Sequence, residues 1–554
     1  MTIREQLNSI AEKRIVILDG AMGSLIQVLN LDEKGYRGQL FADHPTPLAG
    51  CNDILCLTRP GAIGAIHDTY LEAGADIIET CSFNSTSITL ADYGLGHMSY
   101  EISVAAAQVA QKSADKFSAY GKKRFVAGSI GPTAKGASLY PDINNPAKRS
   151  ISWDELELSY YDNARGLLDG GADILLVETI FDTLNAKAAL FAINRLIKER
   201  QIDLPIIVSA AVSGEAGRLL SGQNLEAFCT SVQHVKPWAI GLNCSFDATK
   251  LLPHVRLLSK IAPCYVSAYP NAGLPNKFGR YDEIPELMAA HIEPYFEEKL
   301  VNIIGGCCGT TPAHIAAIRE KASDFIPRKV NDTGNKYFSG LELFDPQGSI
   351  IRIKNTNFSA EKEEMQKSLA EGEYEDATDT ARDMIDNGCE ILDIQIDDEK
   401  ALNSFLDYAL MNPYIAKAPF FINSQDTATL ESGLKRLQGR CLAGYISLKD
   451  GESMFLQKVQ LIRSYGAAAV ISLSAQSSLS AQGSLSVQSS LSVQGSLSVL
   501  DGEQKIDIAE RVYKLLISSG YPADNIVLEP FAEGEDDFII SQIQKNCPGV
   551  FIAL

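Results

Sequence analysis

The 554-residue chain has no apolar run long enough to cross a membrane as a helix, and no apolar leader at its start. Met1-Thr2-Ile3-Arg4-Glu5 opens instead into a polar, helix-like stretch. Positive charge is scarce: 49 Lys and Arg stand against 69 Asp and Glu, a net charge of −20. That balance argues against nucleic acid and anionic membrane surfaces as partners, and says nothing of the fold. No P-loop or dinucleotide fingerprint occurs in a strand-turn-helix context. The 11 cysteines are scattered, most of them inside apolar runs, so they do not read as a disulfide framework. A cytoplasmic chain with reduced thiols is expected, and such thiols fit metal binding better than disulfides. What remains is an ordinary globular composition, 45% apolar, long enough for two or three domains.

One stretch organises the rest. The apolar run 301–305 ends in Gly305-Gly306-Cys307-Cys308-Gly309-Thr310-Thr311-Pro312. On a regular strand, neighbouring side chains face opposite ways, so two adjacent sulfurs reach one point only if the chain turns. Gly305, Gly306 and Gly309 are expected to supply the backbone angles for that turn. A third thiol, Cys244, closes the run Ile240-Gly241-Leu242-Asn243-Cys244. Three cysteines at two strand ends make a Cys₃ set with a fourth position open, the pattern of a catalytic zinc rather than a structural one. Cysteine is also among the most buried residue types, so the residues alone leave a plain apolar role open.

Short apolar runs recur through the first 325 residues, at 15–19, 77–81, 125–130, 174–178, 206–211, 240–244, 265–269 and 301–305. Segments of helical period, such as 153–168 and 182–199, lie between them. Strand and helix alternating eight times predict a TIM barrel, whose chemistry belongs at the C-terminal strand ends. Asp19-Gly20-Ala21, Glu79-Thr80, Ser129, Glu178-Thr179, Asn243-Cys244, Asn271 and Cys307-Cys308 all stand there. Asp19 and Glu178, two acids over one mouth, suit a cationic group such as an α-amine. Ser82 and Ser129 read as strand-capping hydroxyls.

These residues carry a close resemblance. Asp19-Gly20-Ala21-Met22-Gly23, Glu79-Thr80, Phe83-Asn84-Ser85-Thr86, Gly128-Ser129-Ile130-Gly131-Pro132, Glu178-Thr179, Gly241-Leu242-Asn243-Cys244 and Gly305-Gly306-Cys307-Cys308-Gly309 resemble the homocysteine-binding domain of cobalamin-dependent methionine synthases. The wider homocysteine S-methyltransferase family shares the Cys…Cys-Cys pattern. The resemblance implies that Cys244, Cys307 and Cys308 hold zinc and that homocysteine's sulfur takes the fourth position. It implies that Asp19 and Glu178 hold the substrate amine and the backbone at Gly20 and Ala21 its carboxylate. Asn271 resembles the residue that fills the metal's open position when substrate is absent. A free thiol near pKa 8.5 is mostly protonated at neutral pH, and coordination removes that proton. The implied reaction is methyl transfer to sulfur, giving methionine.

Three parts are expected: a homocysteine-binding zinc barrel over 1–325, a linker over 326–345, and a second barrel over 346–554. In the last, strands are predicted at 350–353, 391–394, 420–422, 445–448, 469–473, 526–528 and 550–554, with helices such as 374–387 and 453–465. It resembles the pterin-binding barrel that follows in the same synthases, through Tyr374-Glu375-Asp376-Ala377, Ile446-Ser447-Leu448-Lys449-Asp450-Gly451-Glu452 and Arg463-Ser464-Tyr465-Gly466. Its folate pocket departs from that pattern. Gly-Glu-Arg-Thr-Asn stands as Ile353-Lys354-Asn355-Thr356-Asn357, Asp-Val-Asn as Asp393-Ile394-Gln395 and Ile-Asp-Ser as Ile422-Asn423-Ser424, and Gly444 replaces an asparagine. Folate binding is therefore expected to be weak.

Residues 475–498 form four copies of a Ser/Gln-rich hexapeptide, expected to be a loop without a core. With seven strands countable before Leu554, the second barrel is expected to lack its last strand and helix, leaving an open edge. The overall expectation is two tandem TIM-type barrels, the second diverged and incomplete. The cobalamin signature Asp-x-His-x-x-Gly is absent, so a methyl-corrinoid donor would have to come on a separate protein. The chain then reads either as a complete methyltransferase or as the homocysteine-binding subunit of a multi-protein methionine synthase, its second barrel a scaffold.

Overall fold

The computed structural model describes residues 1–118, 122–142, 144–277, 279, 281–331, 334–353, 358–473, 502–529 and 537–554. The chain divides into two compact units, Met1–Thr333 and Gly334–Leu554.

In the first unit, eight parallel strands form one sheet: β1 (Val16–Ile17), β2 (Ile77–Glu79), β3 (Phe125–Ile130), β4 (Ile174–Ile180), β5 (Ile206–Ala210), β6 (Ala239–Asp247), β7 (Tyr265–Asn271) and β8 (Ile303–Ile304). Their order is β1-β8-β7-β6-β5-β4-β3-β2, and a parallel bridge from Leu18 to Ile77 closes the ring. All eight predicted strands are present. They were legible because helices cover the outside and side chains fill the inside, so each strand is apolar on both faces. β3 and β5 are buried at every position.

The barrel interior holds Val16, Leu18, Ile77, Phe125, Ala127, Ile174, Leu176, Ile207 and Ile303. Leu7 and Ala11 join this core from the first helix, Ile3–Ala11, whose start is fixed by a Thr2–Glu5 capping box. That helix stoppers the end where the strands begin: Trp238 Nε1 donates to Asn8 at 2.8 Å and Arg4 pairs with Asp203 at 2.8 Å. With one end plugged, the opposite mouth is the place for chemistry.

The second unit opens with a hairpin, β9 (Phe338–Ser339) and β10 (Leu343–Phe344), inside a stretch read above as linker. Phe338 packs into this unit's core, and the buried Arg440 donates to the carbonyls of Asn335 and Tyr337. A parallel sheet follows: β11 (Ile350–Ile351), β12 (Leu392–Ile394), β13 (Phe420–Asn423), β14 (Leu442–Ile446), β15 (Ala468–Ser472), β16 (Ile526–Glu529) and β17 (Phe551–Ala553). Its order is β11-β17-β16-β15-β14-β13-β12. As expected, there is one strand fewer among the described residues than in the first barrel. β17 pairs with the first strand, Ile350 to Ile552 and Ile351 to Ala553, and the sheet ends at β11 and β12, which share no ladder among the described residues, so the barrel is open there as expected.

The strand predicted over 445–448 lies earlier, at 442–446, because Gly444 and Tyr445 both take positive φ (116° and 88°) and shift the register. The repeats at 475–498 and the Lys354-Asn355-Thr356-Asn357 stretch fall outside the described residues. Among the described residues no helix is long and apolar enough to cross a membrane.

Candidate active site

The mouth of the first barrel gathers three thiols and three carboxylates. The sulfurs of Cys244, Cys307 and Cys308 all lie within 4.8 Å of one another, and Cys244 Sγ is 3.8 Å from Cys308 Sγ. Among the described residues this is the one cluster of its kind.

Two local distortions bring the sulfurs together. Cys244 and the following Ser245 both have positive φ, 57° and 60°, in the left-handed region that L-residues with side chains avoid. β6 loses register with β7 at that point, between Asn243 and Asp247. The strain is held by Asn243, fully buried beside it. Its Oδ1 accepts from the Thr179 N–H at 3.0 Å and Ser209 Oγ at 2.7 Å, and its Nδ2 donates to Thr179 Oγ1 at 2.8 Å. Asn243 thus ties the strand carrying Cys244 to the residue after Glu178.

The Cys307-Cys308 turn departs from expectation. Of its three glycines only Gly309 has positive φ, 81°. Gly305 and Gly306 are required by space: a Cβ on Gly305 would lie 2.9 Å from the Asp19 carbonyl, and one on Gly306 would lie 2.5 Å from Thr310. Thr310 staples the turn to β1, accepting from the Ala21 N–H at 3.0 Å and donating to the Cys307 carbonyl at 2.7 Å. Neighbours of Asn271 hold the other side. The Pro270 carbonyl accepts from the Cys307 N–H and the Ala272 N–H donates to the Cys308 carbonyl, at 2.8 and 2.9 Å. Gly309→Ala combines a left-handed backbone with a Cβ 2.3 Å from Tyr281. It should lower stability by about 2–4 kcal/mol, read as a fall in thermal midpoint.

The acids face the same mouth. Burial pushes the Glu178 carboxyl up to about 7, although Ser129 Oγ and the Tyr269 hydroxyl donate to it. Asp19 accepts from the Glu79 N–H at 3.0 Å, while its other oxygen is buried with no partner. Burial raises Asp19 well above the usual carboxylate range, and the nearby Glu178 adds to the rise. Glu79 is raised by burial and then by the charges of Glu178 and Asp19. None of the three acids has an ion pair among the described residues. Three crowded carboxylates without a counter-charge make a receptor for a cation.

Among the thiols, the neighbouring Cys244, with its sulfur 3.8 Å away, and then Cys307 hold the Cys308 thiol well below its ordinary range. A metal ion asks for the same electron-rich set. The fit is quantitative: Zn–S bonds of about 2.3 Å at tetrahedral angles put sulfurs about 3.8 Å apart, which is the Cys244–Cys308 separation. Asn271 Oδ1 is also buried without a partner, an oxygen donor between the two residues that pair with the cysteine turn.

A homocysteine S-methyltransferase family profile matches residues 16–322, more than half of the chain. The chain belongs to the homocysteine S-methyltransferase family. Three solved structures illustrate the range of similarity. The metallated homocysteine methyltransferase MmuM from Escherichia coli is 22% identical with TM-score 0.45, over 57% of this chain and 99% of that one. Its oxidized form is 23% identical with TM-score 0.45 over the same shares. A B12-independent methionine synthase from Shewanella sp. W3-18-1, in complex with selenomethionine, is 14% identical with TM-score 0.31, over 48% of this chain and 94% of that one. The family match spans all eight strands of the first unit, which is a methyltransferase barrel.

Two residues carry more than their sequence reading gave them. Ser129, read as a strand cap, bonds the Glu178 carboxyl, and Glu79 is a third acid of the mouth. Both contacts join different strands, so no local pattern marked them. Ser82 does cap, donating to the Ser129 carbonyl at 2.7 Å. The Ala21 N–H, expected to face a substrate carboxylate, donates to Thr310 instead.

The second barrel's mouth is occupied by its own side chains. Asp393 accepts from Lys362 at 3.3 Å and Asn423 at 3.1 Å, Ser424 donates to Asp397 at 2.8 Å, and the Tyr445 hydroxyl donates to Glu529 at 3.1 Å.

Proposed function

We propose that this chain makes methionine by transferring a methyl group to homocysteine, with a zinc ion held by Cys244, Cys307 and Cys308. The observation that carries this reading is the cluster of three sulfurs within 4.8 Å of one another, with Cys244 and Cys308 at the 3.8 Å that a shared zinc requires. A zinc ion bound there would keep the substrate sulfur as a thiolate at neutral pH, the form that attacks a methyl group.

The chain's own residues do the rest. Glu178 and Asp19, with Glu79 beside them, take the substrate ammonium, which supplies the missing counter-charge. The backbone at Gly20 faces the carboxylate, the Ala21 N–H being taken by Thr310. Asn271 gives way to the incoming sulfur. When the sulfur–methyl bond forms, the donor leaves with the electron pair of the bond it loses.

The second unit is a diverged pterin-binding barrel with scaffold duties. Asp393, Asn423 and Tyr445 already satisfy one another or their neighbours, which leaves fewer free partners for a folate. This favours a second reading, in which a separate corrinoid protein delivers the methyl group. Assaying the full chain with homocysteine and either free methylcobalamin, methyltetrahydrofolate or S-methylmethionine separates the donors. Turnover is expected with methylcobalamin and not with methyltetrahydrofolate. Efficient turnover with methyltetrahydrofolate alone would overturn the scaffold assignment.

A further inference from the structure

A cavity lies at the end of the first barrel opposite the thiols. Its volume is about 590 Å³, the size of a small-ligand site. Arg14, Lys122, Arg124 and Arg319 line it, against only two acids, Asp76 and Glu320. Four cations and two acids leave a surplus of two positive charges, in a chain whose net charge is −20. Arg14, Asp76 and Arg124 stand just before β1, β2 and β3, and Arg319 comes from the helix Pro312–Ala322 that follows β8.

Asp76 is already saturated. It is buried, and its two oxygens accept from Arg14 at 2.6 and 2.8 Å, from Arg124 at 3.3 Å and from the Ile17 N–H at 3.0 Å. One carboxylate therefore answers two guanidinium groups. Arg124 Nε is buried with no partner. Lys122 and Arg319 have neither a hydrogen bond nor an ion pair among the described residues. Arg319 is nevertheless seated, on the turn that ends the helix Pro60–Ala73. Gly74 there has a φ of 104°, and a Cβ on it would lie 2.3 Å from Arg319 Cδ and 2.7 Å from its Nε. Burial pushes the Arg124 guanidinium below its ordinary range, and the charges of Arg14 and Arg319 push the same way against Asp76. A structural role accounts for Arg14 and Arg124, which tie the strand starts together. It gives Lys122 and Arg319 nothing to bind.

We propose that this basal cavity binds the phosphate group of a small metabolite, with Arg124, Arg319 and Lys122 as its donors. A phosphate monoester carries about −1.5 to −2 at pH 7 and three strong acceptor oxygens. That matches the two surplus charges, where a monocarboxylate would leave one unanswered. Planar guanidinium groups suit phosphate oxygens, and a lysine adds a point charge. The cavity has room for more than one phosphate group, which favours an ester over the inorganic ion. The site uses no thiol and no acid of the mouth, so it stands apart from the metal reading above.

The test is calorimetric titration of the full chain, at one fixed ionic strength, with inorganic phosphate and with ribose phosphate. One site per chain is expected, with ribose phosphate the tighter ligand. The reverse order would overturn the ester and make inorganic phosphate the occupant. Arg319→Ala and Lys122→Ala should each weaken binding about 10–150-fold, the range for losing a hydrogen bond to a charged group. Glu320→Gln removes an opposing charge and should tighten binding. All three residues are exposed, so the variants should fold. Lys400→Ala, at an exposed position of the second unit, should change nothing. An absence of binding at millimolar phosphate and ester, or a Kd that Arg319→Ala leaves unmoved, would overturn the site. An equal loss in Lys400→Ala would reduce the binding to general charge attraction and overturn it as well.

Discussion

Cys308→Ala should reduce bound zinc from about one ion per chain to none and slow methyl transfer by at least about a thousandfold. The Cys308 sulfur lies 3.8 Å from that of Cys244 and within 4.8 Å of that of Cys307. Without it two sulfurs remain, fewer than the three protein ligands a catalytic zinc site keeps. A metal centre contributes several kcal/mol to stabilising charge in a transition state, and about 4 kcal/mol corresponds to a thousandfold in rate. The substrate's thiol would then be mostly protonated at neutral pH. Metal analysis after purification and single-turnover kinetics check this. The barrel should stay folded, because the backbone bonds of the turn, from Thr310 to the Cys307 carbonyl and from Ala272 to the Cys308 carbonyl, do not use the sulfur.

Glu178→Gln should raise KM for homocysteine about 10–150-fold, the range for losing a hydrogen bond to a charged group, with a smaller change in kcat. The pH dependence makes this specific. Burial holds the Glu178 carboxyl at about 7 against an ordinary 4.5, so below that pH the empty site is protonated. Binding an ammonium requires the carboxylate, so methionine, which has no thiol proton to lose, should bind with proton release at pH 6 and almost none at pH 8. Calorimetry in buffers of different ionisation enthalpy measures this, and Glu178→Gln should abolish it.

The same shift sets a stability slope. A carboxyl raised in the folded state contributes stability that is fully present below 4.5 and lost as pH rises through about 7. The loss should reach about 3 kcal/mol at most in the unliganded chain. Denaturation of Glu178→Gln should show a flatter profile over that window, with Asp19 and Glu79 leaving a remnant of the same sign.

Much of this architecture is legible in the residues, for physical reasons. Parallel strands covered on both faces leave unbroken apolar runs, and each run ends in the polar residues of the mouth. Cys244 and Cys307-Cys308 stood out because thiols at strand ends have few other uses. The means of convergence did not. Nothing local predicts that Cys244 and Ser245 adopt left-handed angles, because Asn243 and its partners on β4 and β5 impose them. Gly305 and Gly306 looked like turn formers, yet they serve close packing against Asp19 and Thr310. In the second unit the displaced fourth strand follows from Tyr445, whose positive φ no aromatic residue advertises.

The most direct measurement is X-ray absorption at the zinc edge of the purified full chain, with and without homocysteine. Three sulfurs at about 2.3 Å and one lighter donor are expected in the free protein, becoming four sulfurs when homocysteine is added. An absence of zinc, or a sulfur count that does not change with homocysteine, would contradict the account.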